Sequence, residues 1–314
     1  MNQIPIQFAP LQGYTEAPFR NFHEKYFGGV DRYFAPFLRV QHKEIRRKDQ
    51  RDVLPDKNTV NKLIPQIMAS EISEADFLVR FLVENGYRHI DINMGCPFPM
   101  LVRRHLGSGI LPYPDEVARL LEITRHYPDI HFSVKIRLGS EQADECLRLV
   151  DLLNEFPLEQ VAVHARLGVQ QYKGDCDRMA FGAFAARCSH PLVYNGDIQS
   201  IEQIKQITTE FPQLSAIMIG RGLLAQPWLA SEYMDGVLWD AGRKQQALRR
   251  FHADLQDYYV QTIEGGELQL LHKLQSFWEY FLVDADRKLR KKIKKATKMS
   301  AYSDAVYQLI RALE

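Results

Sequence analysis

Short runs rich in β-branched and aromatic residues recur along the first three quarters of the chain, at 6–9, 33–37, 64–68, 89–93, 132–136, 161–165, 192–195 and 216–219. Between them, stretches such as 74–85, 114–126, 141–155 and 200–210 repeat apolar residues at helical spacing, with polar residues on the opposite face. The pattern predicts strands alternating with helices, which requires parallel strands joined by right-handed crossovers. Eight such units over roughly 230 residues are the arithmetic of an α/β fold closed as a (β/α)₈ TIM barrel. An open doubly wound sheet is the alternative. It would follow its first strand with a glycine-rich phosphate turn, and Pro10-Leu11-Gln12-Gly13 is not one.

From about Trp239 the strand pattern stops, and 243–263, 267–283 and 286–313 each carry helical periodicity, with Gly265-Gly266 as a break. The expected organisation is therefore a barrel domain over 1–238 and a C-terminal all-helical domain over 239–314. A chain of 314 residues suits that division, since single cores stop growing at about 250–300 residues.

Forty basic and 39 acidic residues leave a net charge of +1, so contact with a polyanion has to come from local patches. The densest is Arg287, Lys288, Arg290, Lys291, Lys292, Lys294, Lys295 and Lys298, against Asp286 alone. Such a run is either a solvated helix face or a phosphate-binding surface. Arg39, Lys43, Arg46, Arg47, Lys48 and Arg51 form a second patch, and Arg103-Arg104-His105 a third. The four cysteines have neither the spacing of a disulfide framework nor that of a zinc site, so a reducing cytoplasm and no metal are expected. The first ten residues lack a basic flank and a long apolar run, and no later segment is apolar for the roughly 20 residues a membrane helix needs. A soluble protein without membrane contact is expected.

The segment Asp91-Ile92-Asn93-Met94-Gly95-Cys96-Pro97 ends a strand and delivers a cysteine into a Gly/Pro loop. A free cysteine is commonly a small buried hydrophobe, but at the C-terminal mouth of a parallel barrel it is placed for chemistry. Gln66, Asn93, Lys135 and His164 also fall at strand ends, as do Asn195-Gly196-Asp197 and Gly220-Arg221-Gly222 after the seventh and eighth strands. Barrel enzymes bind phosphate at those last two loops, where glycines admit backbone N–H groups to the anion and Arg221 adds charge-assisted donors. Lys135, between Val134 and Ile136, suits the edge of a flavin that gains negative charge on reduction; a lysine paired with a buried carboxylate is the plainer reading. Gln66 and Asn93 suit flavin edge atoms through amide hydrogen bonds. His164 suits the ring or the phosphate, or else is a satisfied core histidine.

Together these motifs resemble the tRNA-dihydrouridine synthases, a family of flavin mononucleotide (FMN) enzymes. The resemblance runs nearly the whole chain: Ala9-Pro10-Leu11-Gln12-Gly13, Gln66, residues 91–97, Gly107 through Leu111, Ser133 through Gly139, Val163-His164-Ala165-Arg166 with Gln171, Tyr172 and Gly174, Asn195 through Ile198, and Met218 through Gly222. It implies that Ala9, Pro10, Leu11, Gln66, Asn93, Lys135, His164, Asn195, Gly196, Asp197, Gly220 and Arg221 hold FMN, which NADPH reduces. Hydride would pass from N5 to C6 of a tRNA uridine and Cys96 would protonate C5. Arg103, Arg104, Arg166, Tyr172, Lys291, Lys294 and Lys295 would bind the tRNA, and the enzyme would act as a cytoplasmic monomer. The chain departs from the family where its usual lysine, three residues after the cysteine, is Pro99, and where Arg104 and His105 replace asparagine and glycine. Two other classes remain open: a flavin barrel reducing a small molecule, which leaves the basic helices unexplained, and an RNA-binding homologue without catalysis, which leaves Cys96 and Lys135 unexplained.

Overall fold

The structure, a computed structural model, describes residues 3–313. Its strands are β1 Ile6–Phe8, β2 Arg32–Phe34, β3 Val40–Gln41, β4 Glu44–Ile45, β5 Leu63–Ile64, β6 Gln66–Ile67, β7 His89–Met94, β8 His131–Gly139, β9 Leu158–Leu167, β10 Leu192–Asn195 and β11 Ala216–Ile219. Nine of them form one parallel sheet in the order β5-β2-β1-β11-β10-β9-β8-β7-β6. Its two end strands are separated in sequence by Pro65 alone, so the sheet closes on itself as an eight-position barrel. The expected third strand, 64–68, is thus two short pieces, because Pro65 has no N–H to give the ladder. The β3/β4 hairpin stands apart. The sequence pattern does not mark it, since each side is two residues long and its turn holds His42 and Lys43 at φ 51° and 66° instead of using the usual Asn-Gly.

Parallel pairing lines up side chains that face the same way. Gln66 lies beside Asp91 and Asp91 beside Ser133. One step nearer the mouth Asn93 lies beside Lys135, then Arg137 beside His164 and His164 beside Asn195. Polar residues at every second position of β7 and β8 therefore stack in layers toward the C-terminal mouth, while Ile90, Ile92, Val134 and Ile136 on the other face are fully buried under the helices.

After 238 the chain is helical. Asp240 caps Ala241–Thr262 by accepting the Arg243 N–H, and Gly266–Phe277 follows the glycine break. The single helix expected over 286–313 is two, Arg287–Lys295 and Met299–Arg311. Ala296 turns extended between them, and the Gln275 amide donates to the freed carbonyls of Ile293 and Ala296. The helix expected over 114–126 likewise divides, at Glu122. The helical region packs on the first barrel helix, Ala17–Tyr26: Phe19 stacks on Phe277 and meets Phe251 edge-on, and Lys25 pairs with Asp254. One apolar core runs from the barrel into these helices.

Candidate active site

All twelve residues expected to hold a cofactor, with Cys96 and Tyr172, line one pocket at the barrel mouth. They come from seven strand ends and the loops beyond them, which the closed topology makes neighbours.

Its floor is a chain of hydrogen bonds. The buried Asp91 carboxylate accepts from Ser133 Oγ and Gln66 Nε2, both at 2.6 Å. Asn93 Nδ2 donates to Gln66 Oε1 at 2.7 Å, and Asn93 Oδ1 accepts the backbone N–H groups of Gly95 and Cys96 at 3.1 and 2.9 Å. Because the backbone N–H groups of Gly95 and Cys96 only donate, Asn93 Oδ1 has to face them, which turns Asn93 Nδ2 to Gln66 Oε1 and leaves Gln66 Nε2 facing Asp91. Each amide keeps one N–H unspent at the pocket. Burial pushes the Asp91 carboxyl up to about 7, against the opposing pull of Gln66, Ser133 and Lys135.

Lys135 is buried, and no acidic side chain lies within ion-pair reach of it among the described residues. Burial, reinforced by the Arg137 charge, lowers its ammonium to about 8. The Arg137 guanidinium donates to the carbonyls of Gly95 and Leu167, both at 2.8 Å, so it clamps the cysteine loop to β9. Burial and the cations Arg137, Lys135, Arg166 and Arg221 hold His164 well below the usual histidine range. Its Nε2 lies 3.3 Å from Arg166 Nη1. Since that guanidinium can only donate, His164 is neutral with its proton on Nδ1.

In the loops after β10 and β11, Asp197 is bound by Arg166 and by Arg221, the latter at 2.9 Å. Burial works against the Asp197 charge, but the two guanidiniums outweigh it and hold the carboxyl below its usual range. Gly196 is the residue its place demands: at φ +149° a Cβ would come within 2.5 Å of Cys176 Sγ. Arg221 also lies over the Tyr172 ring at 4.8 Å, with Arg137 at 5.6 Å, so Tyr172 is a braced wall of the pocket.

Cys96 is half-buried, and Gly107, at φ +61°, packs so close beneath it that a Cβ would meet the Cys96 carbonyl oxygen at 2.4 Å. Burial raises the thiol above its usual value, outweighing Arg137, Lys135 and Arg39, so it is protonated at neutral pH.

The residues expected to meet RNA are scattered. Arg104 lines a groove that starts at Cys96, and Arg103 is exposed on the turn beside it. Lys291, Lys294 and Lys295 are exposed, and among the described residues none has an acidic partner. Arg166, by contrast, is 2% exposed and spends its donors on Asp197 and the Gly174 carbonyl. Arg290 of the basic run turns inward to the carbonyls of Val283 and Trp278. Asp91, Ser133 and Arg137 lie within the sequence motifs but are not among the residues expected to act there. The signal is present, since each stands two positions from a residue read as facing the mouth.

A family model described as "Dihydrouridine synthase (Dus)" matches residues 7–313. The tRNA-dihydrouridine synthase B of Vibrio vulnificus (strain CMCP6) is 30% identical over 225 residues, covering 71% of this chain and 69% of that protein. The tRNA-dihydrouridine synthase B of Pasteurella multocida (strain Pm70) is 29% identical over 225 residues, covering 71% and 67%. Among solved structures, morphinone reductase superposes with a TM-score of 0.52 at 9% identity, over 75% of this chain and 87% of that one, a likeness of fold alone. The family model spans barrel and helices together, and the chain belongs to the dihydrouridine synthase family.

Proposed function

We propose that this protein is a tRNA-dihydrouridine synthase that uses FMN with NADPH as reductant. One observation carries the reading: a protonated thiol, a buried lysine and two oriented amides meet in a single pocket backed by glycine loops and guanidiniums. The pocket suits FMN. The unspent N–H groups of Gln66 and Asn93 and the ammonium of Lys135 suit the acceptor-rich edge of the ring system, and Ala9, Pro10 and Leu11 supply wall and backbone. Gly196, Gly220 and Arg221 suit the phosphate, with Asp197 aiming Arg221 and neutral His164 beside them.

When bound, FMN would supply the hydride chemistry at C6 of the uracil, with NADPH as the source of electrons. Cys96 then gives its thiol proton to C5. A positioned general acid contributes about 10²- to 10⁴-fold, and Cys96 needs no proton donor before it because its thiol is held protonated. Asn93 seats the cysteine loop from one side and Arg137 from the other. The uracil has to leave its stack to enter so enclosed a site.

In this reading 1–238 is the catalytic unit and 239–314 grips the tRNA backbone through Lys291, Lys294 and Lys295. The helices close on the barrel of their own chain, which supports a monomer, and four free thiols suit the cytoplasm. The test is dihydrouridine formation in a tRNA transcript by the FMN-loaded protein with NADPH. Replacing NADPH by NADH tests the choice of reductant.

A further inference from the structure

Beyond Cys96 the pocket opens into a groove of about 920 Å³ between the β3/β4 hairpin and the short helix Pro99–Val102. Its walls combine exposed apolar side chains with cations. Phe98 and Met100 are 55% and 67% exposed, large apolar side chains left in the open. Arg39, Lys43, Lys48 and Arg104 line the same groove, and none of them has an acidic partner among the described residues. Arg46 is neutralised by Asp49, and Glu74 is the one acid in the lining.

Pro99 explains how Phe98 comes to be there. Proline at the first position of the helix holds the preceding residue extended, at φ −67° and ψ 120°. Phe98 is therefore presented at the helix entrance, two residues from Cys96. The lysine charge missing at 99 is matched by two free guanidiniums, Arg39 and Arg104. Burial first, then the charges of Arg46 and Arg104, lowers the Arg39 guanidinium from its usual value.

Resting on the function proposed above, we infer that this groove holds the nucleotide adjoining the target uridine, with its base stacked on Phe98 and its phosphate on Arg39 and Arg104. The groove begins at the group that acts on the uracil, so what lies beyond it is covalently next to the uridine. A base drawn from its stack leaves its neighbour with an open face, and an exposed aromatic ring covers that face whatever the base. The basic walls match the charge that follows.

The experiment measures the Kd of a tRNA transcript and its KM for Phe98→Ala, Phe98→Leu and Phe98→Trp in the full-length FMN-loaded protein, with bound flavin confirming that each variant is folded. Phe98→Ala should weaken Kd and raise KM about tenfold, within the range of base–aromatic stacking, with a much smaller change in kcat. Phe98→Trp should restore both, and Phe98→Leu should not. Unchanged tRNA affinity in Phe98→Ala would overturn the inference, as would equal rescue by leucine, which would mean plain apolar packing. A rise in KM for NADPH in place of tRNA would overturn it in favour of the dinucleotide. A wild-type protein that binds tRNA in this Phe98-dependent way yet forms no dihydrouridine would sink the proposed reaction and leave the groove standing.

Discussion

Asn93 Oδ1 accepts the backbone N–H of Cys96 at 2.9 Å, while the same side chain donates to Gln66 at 2.7 Å. The pocket and the cysteine loop are thus one hydrogen-bonded unit. Asn93→Ala would leave the Gln66 carbonyl and two backbone N–H groups without partners, at about 1–3 kcal/mol for each buried group. The expected result is a double defect, weaker flavin retention together with slower dihydrouridine formation. Flavin content and single-turnover rates, compared with those of Cys96→Ala, check it.

A pH dependence follows from Lys135. Its ammonium is lowered to about 8 by burial and by Arg137, so the cation is present below that value and lost above it. Activity that needs the cation should fall as pH rises through about 8. Cys96, raised above the usual thiol value, gives up its proton later and is not the first limb. Lys135→Arg keeps its charge to far higher pH, so its profile should lose the limb near 8 even if its overall rate is lower.

Arg221 and Arg166 both bind Asp197 but should fail differently. Arg221 is partly exposed and reaches the pocket, whereas Arg166 is 2% exposed and also holds the Gly174 carbonyl. Arg221→Ala should lower FMN retention with little change in Tm. Arg166→Ala should lower Tm by about 2–4 °C or more, the shift that roughly 1 kcal/mol produces in a domain of this size. Thermal melts and flavin content measured on the same preparations separate the two.

Much of this arrangement is legible in the order of residues alone. Strand positions follow from short apolar runs, and β10 and β11 coincide with the expected 192–195 and 216–219. The polar residues at strand ends converge because a closed parallel barrel brings every C-terminal end to one mouth. What stays hidden depends on partners distant in sequence. Arg166 and Arg290 look like any other surface cation until Asp197 and the carbonyls of Val283 and Trp278 are seen to hold them. The break at Ala296 depends on Gln275, 21 residues earlier. Asp91 has no visible role until Gln66 and Ser133 flank it across two strand pairs.

The basic helix Arg287–Lys295 exposes its lysines around a buried Ile293. Replacing Lys291, Lys292, Lys294 and Lys295 by glutamine should weaken tRNA binding and flatten its salt dependence by about 0.7–0.9 in the slope of log K against log salt for each phosphate no longer neutralised. Four lysines spread over five positions cannot share one face, so the total should be less than four such decrements. Arg290 is left in place because its donors support the backbone. A salt titration of tRNA affinity checks this, and flavin content should not change.

The proposed role of Cys96, protonating a tRNA uracil reduced in this pocket, is tested by site-resolved dihydrouridine formation in a tRNA transcript by the wild-type protein and Cys96→Ala, each loaded with FMN and supplied with NADPH. The wild-type protein should convert specific uridines, and Cys96→Ala should bind flavin and take electrons from NADPH while forming dihydrouridine about 10²- to 10⁴-fold more slowly. Equal rates in the two proteins, or a flavin-loaded wild-type protein that leaves every tRNA uridine unreduced, would contradict that role.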